Sequence, residues 1–273
     1  MYRSESVSPP CLKLLGRFRL MYGSDAVDVC VNARRLLALV GLHSCVSRTV
    51  LAESLWPDAT EEHARGSLRS TLCKLPRGDR TLVVCGRDSI ALASTVTVHA
   101  HVLAETALRV VRASGAPGNG PVPTVLLGEG ELLAGWDEDW VVFERERLRQ
   151  LRLHALDALA QRLAREGLHA LALEAALTSV RSEPLRESAH RAVVSGHLAE
   201  GNVSEAVRHY RAFRRLLHEE LGVRPSPQFA RMLPSSGGGP AHAVGHRRHG
   251  RPERPQAVGL PRSPSARRHT GHA

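Results

Sequence analysis

Two glycines set 34 residues apart, Gly167 and Gly201, narrow most sharply what this chain can build. Each ends a helical pattern in a short turn, Arg165-Glu166-Gly167 and Glu200-Gly201-Asn202. Ala172 and Ala206 share the same offset, as do Leu159 and Val193, and Ala160 and Val194. A fixed period of this length, with small residues at the crossings, belongs to stacked helix–turn–helix units. Pro184 falls between the two units, where a helix must end. The pattern is almost continuously helical from about Asp137 to Met232, so a tetratricopeptide-like repeat is expected, with a generic helix bundle as the alternative.

The N-terminal part has a different rhythm. Leu12, Leu14 and Leu15, then Phe18, Leu20 and Tyr22, then Val27 and Val29, alternate in the manner of strands, with Gly16 and Gly23-Ser24-Asp25 as turns. Three helices are predicted next. The first begins at Asn32 as a cap, carries Leu36, Leu37, Leu39 and Val40, and ends near His43-Ser44. The second runs from a Ser47 cap to Trp56, before Pro57. The third starts at Thr60 with Glu61 and Glu62 near the positive end of its dipole, and Pro76 stops it near Leu75. Residues 82–92 read as a hairpin with a charged tip, Gly86-Arg87-Asp88-Ser89. A small sheet, three helices and a closing hairpin describe a winged helix-turn-helix. A further helix is expected over 99–112, and the Gly- and Pro-rich stretch Ala113–Pro123 reads as a connection.

The fold class is therefore mainly α with a small β component. The expected domains are a winged helix over 11–98, a helical repeat domain over 99–233, and a disordered basic tail over 234–273. That tail has no apolar periodicity to offset its ordering entropy. The net charge of +10 divides unevenly among these parts. Residues 1–103 carry 13 basic against 9 acidic side chains, residues 104–233 carry 17 of each, and the tail carries 7 against 1. A basic N-terminal domain suits an acidic partner such as nucleic acid. The sequence gives no other sign of where the chain works than Met1-Tyr2-Arg3-Ser4-Glu5, which has no apolar signal region, and the want of any run of roughly 20 apolar residues. We expect a cytoplasmic protein with reduced, packed cysteines and no membrane partner.

In a winged helix the last helix normally enters the major groove, and the wing touches the adjacent backbone. Turning the leucine side of the third helix inward sends Gly66, Arg69, Ser70, Cys73 and Lys74 outward, with Arg65 one turn before Arg69. Arginine can bind guanine bidentately, and serine or lysine can reach base edges or phosphates. Arg77 and Arg87 are better placed for phosphate oxygens. The candidate DNA-binding residues are thus Arg65, Arg69, Ser70, Lys74, Arg77 and Arg87, against the plainer reading of a solvated helix face. Arg34 and Arg35, in the first turn of the first helix, form a second basic site. Trp56, Trp136 and Trp140 read as core anchors.

Nothing points to catalysis, a cofactor or a metal. His218-Glu219-Glu220-Leu221 lacks the second histidine of HExxH. The tail histidines His242, His246, His249, His269 and His272 would take up a transition metal only as an affinity tag does. No GxxxxGK[ST], GxGxxG or Gly-x-Ser-x-Gly motif is present.

The segment Leu12–Ala93 resembles the OmpR-like winged-helix domain of the SARP regulators (Streptomyces antibiotic regulatory proteins). The residues that carry this are Arg34-Arg35-Leu36-Leu37-Ala38-Leu39, Leu51-Ala52-Glu53-Ser54-Leu55-Trp56-Pro57-Asp58 and Ala64-Arg65-Gly66-Ser67-Leu68-Arg69. The segment Trp140–Met232 resembles their bacterial transcriptional activator domain, through Phe143-Glu144-Arg145-Glu146-Arg147-Leu148, Glu183-Pro184-Leu185-Arg186-Glu187 and Glu220-Leu221-Gly222-Val223-Arg224-Pro225-Ser226-Pro227. The resemblance implies binding to direct repeats in promoter DNA, often of secondary-metabolism genes, and self-association there. It also implies activation by recruiting RNA polymerase holoenzyme through its sigma factor. Neither the ATPase module of larger members nor a receiver domain is found in these residues. Pro76 ends the third helix early for the family, and Cys73 stands where a larger residue is common. A protein-interaction adaptor with a weak or vestigial DNA-binding domain is the competing reading.

Overall fold

The computed structural model describes residues 9–76, 81–113, 120–128 and 130–234. Arg77 and the tail from Ser235 lie outside the described residues.

Strands β1 (Pro10–Lys13), β2 (Arg19–Tyr22) and β3 (Asp25–Val27) form an antiparallel meander, with Leu12 opposite Leu20 and Met21 opposite Ala26. Alternation buries Leu12, Leu14, Leu20 and Tyr22 on one face, as the period-two pattern requires. Helix α1 (Val31–His43) lies on that face, with Ala33, Leu36, Leu37, Leu39 and Val40 buried. It starts two residues earlier than expected. Cys30 takes the cap position without a side-chain bond, so Asn32 is not the cap.

Strand β4 (Cys45–Ser47) and helix α2 (Arg48–Leu55) follow, the Ser47 hydroxyl accepting from the Val50 N–H. Helix α3 (Glu61–Cys73) is capped by Thr60, which accepts from the His63 N–H. The hairpin of β5 (Val83–Cys85) and β6 (Ser89–Leu92) pairs with β4 in the order β4-β6-β5, making the wing sheet. Strand β7 (Thr97–Val98) returns to lie parallel to β1. Neither β4 nor β7 was expected from the sequence. All five cysteines are unpaired thiols, and Cys30, Cys45, Cys73 and Cys85 are exposed, contrary to the packed role expected for them.

The rest of the described chain is helical: α4 (His99–Arg112), α5 (Thr124–Leu127), α6 (Asp139–Arg165), α7 (His169–Ser182), α8 (Glu187–Ala199), α9 (Val203–Leu221) and the short α10 (Pro227–Ala230). The 34-residue period survives down to single hydrogen bonds. Gly167 and Gly201 adopt φ of +75° and +76°. Gly167 N–H bonds to Ala164 C=O and Leu168 N–H to Leu163 C=O. In the next unit Gly201 N–H bonds to Leu198 C=O and Asn202 N–H to His197 C=O. Each pair closes the last helical turn in the same left-handed cap, which favours glycine. The residues at matching offsets, Leu159 and Val193, Ala160 and Val194, Ala172 and Ala206, are all buried. Consecutive helices from α6 to α9 pack side by side, as a tetratricopeptide-like stack does.

The sheet-and-helix half and the repeats are joined by α4, which enters both cores, by one loop and by one long helix. Leu15 and Leu132 form a bridge beyond the end of β1. Gly16 N–H bonds to Glu131 C=O, and Leu133 N–H to Leu14 C=O. Gly130, at φ +123°, lies so close to the chain that a Cβ there would come within 3.0 Å of the Gly16 nitrogen. The Arg145 guanidinium donates to the carbonyls of Leu132, Leu133 and Trp136 at 2.8–2.9 Å, fixing the loop onto α6. Trp136 stacks on Phe18 and meets Trp140 edge-on, both at 6.3 Å, and these rings pack against the first core as anchors. Trp56 packs there too.

A third core closes the far end of the repeats around Phe213, Leu217 and Phe229. His190 lies inside it, 4% exposed, its ring stacked on Phe213 at 4.0 Å. Its Nε2 faces the Pro184 carbonyl at 2.9 Å, and a carbonyl only accepts, so Nε2 carries the proton. Nδ1 then accepts from the Nε2–H of His209 at 2.9 Å. Burial lowers the pKa of His190. Burial, then the neighbouring His190 and His197, push His209 down to about 4.

Two outcomes follow from this packing. Arg145→Ala takes a donor from three carbonyls, of which Leu133 keeps the Trp136 N–H, and urea unfolding should show a loss of about 2 kcal/mol; a change below about 0.5 kcal/mol would mean that the loop holds itself. Both imidazoles are neutral in the fold, whereas free histidine protonates near 6.5, so the unfolded chain binds more protons below that pH. Stability should therefore fall as pH drops from about 6.5 toward 4, and His209→Gln should flatten the upper part of that slope. A urea midpoint that is level from pH 7 to 5 in the unmutated chain contradicts this.

Candidate nucleic-acid interface

Helix α3 is oriented by its inner side. Ala64, Leu68 and Thr71 are buried, with Leu75 just beyond the helix, and the Thr71 hydroxyl donates to Ser67 C=O inside its own helix. This face packs on α2 and α1. At 100° per residue the opposite arc carries Arg65, Arg69, Ser70 and Cys73, all exposed, with Lys74 at the helix end. The structure thus brings Arg65, Arg69, Ser70 and Lys74 together on one side of one helix, as the sequence pattern predicts.

The members of this set differ electrostatically. The Arg65 guanidinium pairs with Glu61 at 2.6 Å across one helical turn, so its charge is shared. Arg69 and Lys74 have no ion pair among the described residues. A Cβ at Gly66 would stand 3.9 Å from Arg69 Nη2, at ordinary contact distance, so the Arg69 side chain lies back along the helix over Gly66. Glu61 and Glu62 occupy the first turn, where they satisfy the dipole and keep the basic groups to the middle and end of the helix.

Arg87 is exposed in the β5–β6 turn, the tip of the wing. The tie between that tip and α2 was not read from the sequence. Arg48 N–H bonds to Asp88 C=O at 2.9 Å, and its guanidinium reaches Gly86 C=O at 3.3 Å. These bonds anchor the turn that carries Arg87. A residue at the first position of a helix opposite a hairpin forty residues on leaves no local signal in the sequence.

Arg34 and Arg35, read from the sequence as a second basic site, are both engaged within the fold. Arg34 donates to Val29 C=O and pairs with Asp28 at 3.0 Å. Arg35 pairs with Glu138 at 2.8 Å and donates to Leu55 C=O, also at 2.8 Å. Its two partners come from α2 and from the start of α6, so this half-buried guanidinium is a junction of three elements. Among the described residues no group of three or more His, Cys, Asp or Glu side chains is placed to hold a metal ion. No helix among them is long and apolar enough to cross a membrane.

Residues 125–233 match the family model described as the bacterial transcriptional activator domain. Two curated relatives are both called Regulatory protein AfsR. That of Streptomyces coelicolor is 34% identical over 101 residues, 37% of this chain and 10% of the relative. That of Streptomyces griseus is 32% identical over 106 residues, 39% of this chain and 11% of the relative. The matched part is thus about a tenth of the length of either relative. Among solved structures the fold is similar to Mycobacterium tuberculosis EmbR in complex with a low-affinity phosphopeptide, at a TM-score of 0.66 and 18% identity. That likeness covers 83% of this chain and 66% of EmbR, and it extends the shared fold well beyond the activator domain.

The contrast between Arg35 and Arg69 is testable. Arg35→Ala should lower the thermal midpoint, by an amount worth about 1–2 kcal/mol, and leave the salt dependence of DNA binding unchanged. A shallower salt slope in that variant would return Arg35 to the phosphate-binding set.

Proposed function

We propose that this chain, a SARP-type transcription regulator, binds directly repeated sequences in promoter DNA, in the first instance those of secondary-metabolite genes. It activates them by holding RNA polymerase holoenzyme there through its sigma factor. The exposed arc of α3, with Arg69 unpaired and aimed away from the core, is the observation that carries the reading. Arg69 and Ser70 read base edges in the major groove. Lys74, with Arg77 and the wing's Arg87, holds phosphates and sets the register. Arg65 joins them by exchanging Glu61 for a phosphate. The protein works on chromosomal DNA in the cytoplasm, needs no cofactor and carries out no catalysis.

Direct repeats are related by translation, so neighbouring copies on the DNA meet through two different surfaces rather than one shared patch. The domains act as 11–98 for reading and 99–233 for activation, with α6 joining them. A tail bearing 7 basic residues against 1 acidic adds affinity without sequence preference. One observation favours the adaptor reading instead: Glu61 and Glu62 lead α3 and would face phosphates in any closely docked pose.

Fluorescence anisotropy with DNA from upstream of the adjoining genes separates the two. The regulator binds this DNA more tightly than random-sequence DNA of equal length, whereas an adaptor, held only by its basic tail, binds the two alike and releases both as salt rises. Arg69→Ala should weaken specific binding by about 5- to 150-fold and relax base preference. Lys74→Ala should weaken all sequences alike and reduce the salt slope by about one. If Arg65→Ala and Arg69→Ala together change neither affinity nor preference, α3 is not the reading helix.

A further inference from the structure

We infer that the solvent face of α9 is a docking surface for an acidic helical segment of a partner protein. This stands independently of the promoter reading, since it concerns the last helix of the repeats and not α3.

The two sides of α9 are sharply sorted. Ala206, Phe213 and Leu217 are buried, with Tyr210 packed beside them against Phe229. On the opposite side Ser204, Arg208, Arg211 and Arg215 fall in one line at helical spacing, flanked by Val207 and Ala212, and together they line a shallow open groove. Helix α9 packs on α8, and among the described residues this opposite face is left uncovered.

Charge identifies the occupant. Residues 104–233 are neutral as a whole, and five arginines of α6, α7 and the turn before α8 are matched, although Arg109, Arg112 and Arg191 pair with no carboxylate among the described residues. Arg147, Arg149, Arg162, Arg181 and Arg186 each pair with a carboxylate. On α9 Arg208 meets Glu205, whereas Arg211, Arg214 and Arg215 pair with no carboxylate among the described residues. Arg211 is three or four residues from each of Arg208, Arg214 and Arg215, so four like charges crowd within about two turns and repel one another. Carboxylates repeated every three to four residues on a facing helix would relieve that repulsion and form paired guanidinium–carboxylate bonds. Val207 and Ala212 favour a protein over a nucleic acid, because apolar flanks give nothing to a phosphate backbone and give contact area to a helix.

The test compares the full chain with the triple variant Arg211→Glu, Arg214→Glu, Arg215→Glu. One probe is a fluorescein-labelled 21-residue helical peptide with Glu at every third or fourth position and Ala or Leu between. The other is an equally labelled duplex DNA of random sequence. The basic tail is present in both proteins, so its contribution cancels. The triple variant should bind the peptide about tenfold more weakly or worse, with DNA affinity changed less than about threefold. Equal peptide affinities overturn the inference. So does a loss of DNA binding that matches or exceeds the loss of peptide binding, which would make the face a phosphate surface. If circular dichroism shows the triple variant to be unfolded, Arg211→Gln with Arg215→Gln decides by the same criterion, with an expected loss of about threefold.

Discussion

One guanidinium organises the junction on which both halves depend. Arg145, near the start of α6, spends its donors on three carbonyls, those of Leu132, Leu133 and Trp136, in the loop before that helix. A loop whose carbonyls turn inward would otherwise carry unpaired acceptors at a buried seam. Held in this way, the loop lies against the end of β1, and Leu132 and Leu133 enter the first core. Helix α6, 27 residues and about 40 Å long, then belongs to two cores. Val141 and Leu148 are buried with the sheet and α1, whereas Leu156, Leu159 and Leu163 are buried with α4 and α7. Arg35 adds a second tie at the same place, binding the start of α6 and the end of α2. A rigid helix rooted in both cores fixes the direction of α3 relative to the repeats without a flexible linker.

The elements that announced themselves in the sequence are those whose stability is local. Thr60 and Ser47 are caps because a hydroxyl can reach a backbone N–H three residues on. Ala64, Leu68, Thr71 or Leu72, and Leu75 marked the inner side of α3 because helical spacing is short-range, and the outward arc followed from it; the structure buries Thr71 rather than Leu72. Gly167 and Gly201 revealed the repeat because a left-handed cap restricts the residue type. Strands β4 and β7 did not show, since they exist only through partners some forty and eighty residues away. Arg35 misled for the same reason: its carboxylate partner is 103 residues along the chain, and an arginine in a first turn looks free when Glu138 cannot be seen. The cysteines were misjudged because small apolar residues usually pack, while these stand at strand edges and helix ends.

Charge tells the same story at larger scale. The total of +10 says little about the surface, because the middle of the chain balances and the tail holds much of the excess. What matters is which basic groups remain after pairing. Arg34, Arg35 and Arg65 are engaged, and Arg69, Lys74 and Arg87 have no ion pair among the described residues. Those three stand on the proposed reading helix, at its end and on the wing, as a groove-bound helix flanked by backbone contacts would need; Lys13, Arg17 and Arg19, near the meander, also have no ion pair among the described residues.

The most direct measurement is capture of sheared genomic DNA on the purified full-length chain, followed by sequencing, with the Arg69→Ala variant in parallel. The account predicts that the captured fragments lie upstream of genes and share a short motif repeated in the same orientation about 10–11 base pairs apart. It also predicts that the variant loses this enrichment while it still retains DNA at low salt. Fragments without a common motif, or the same motif recovered equally well by the variant, would contradict it.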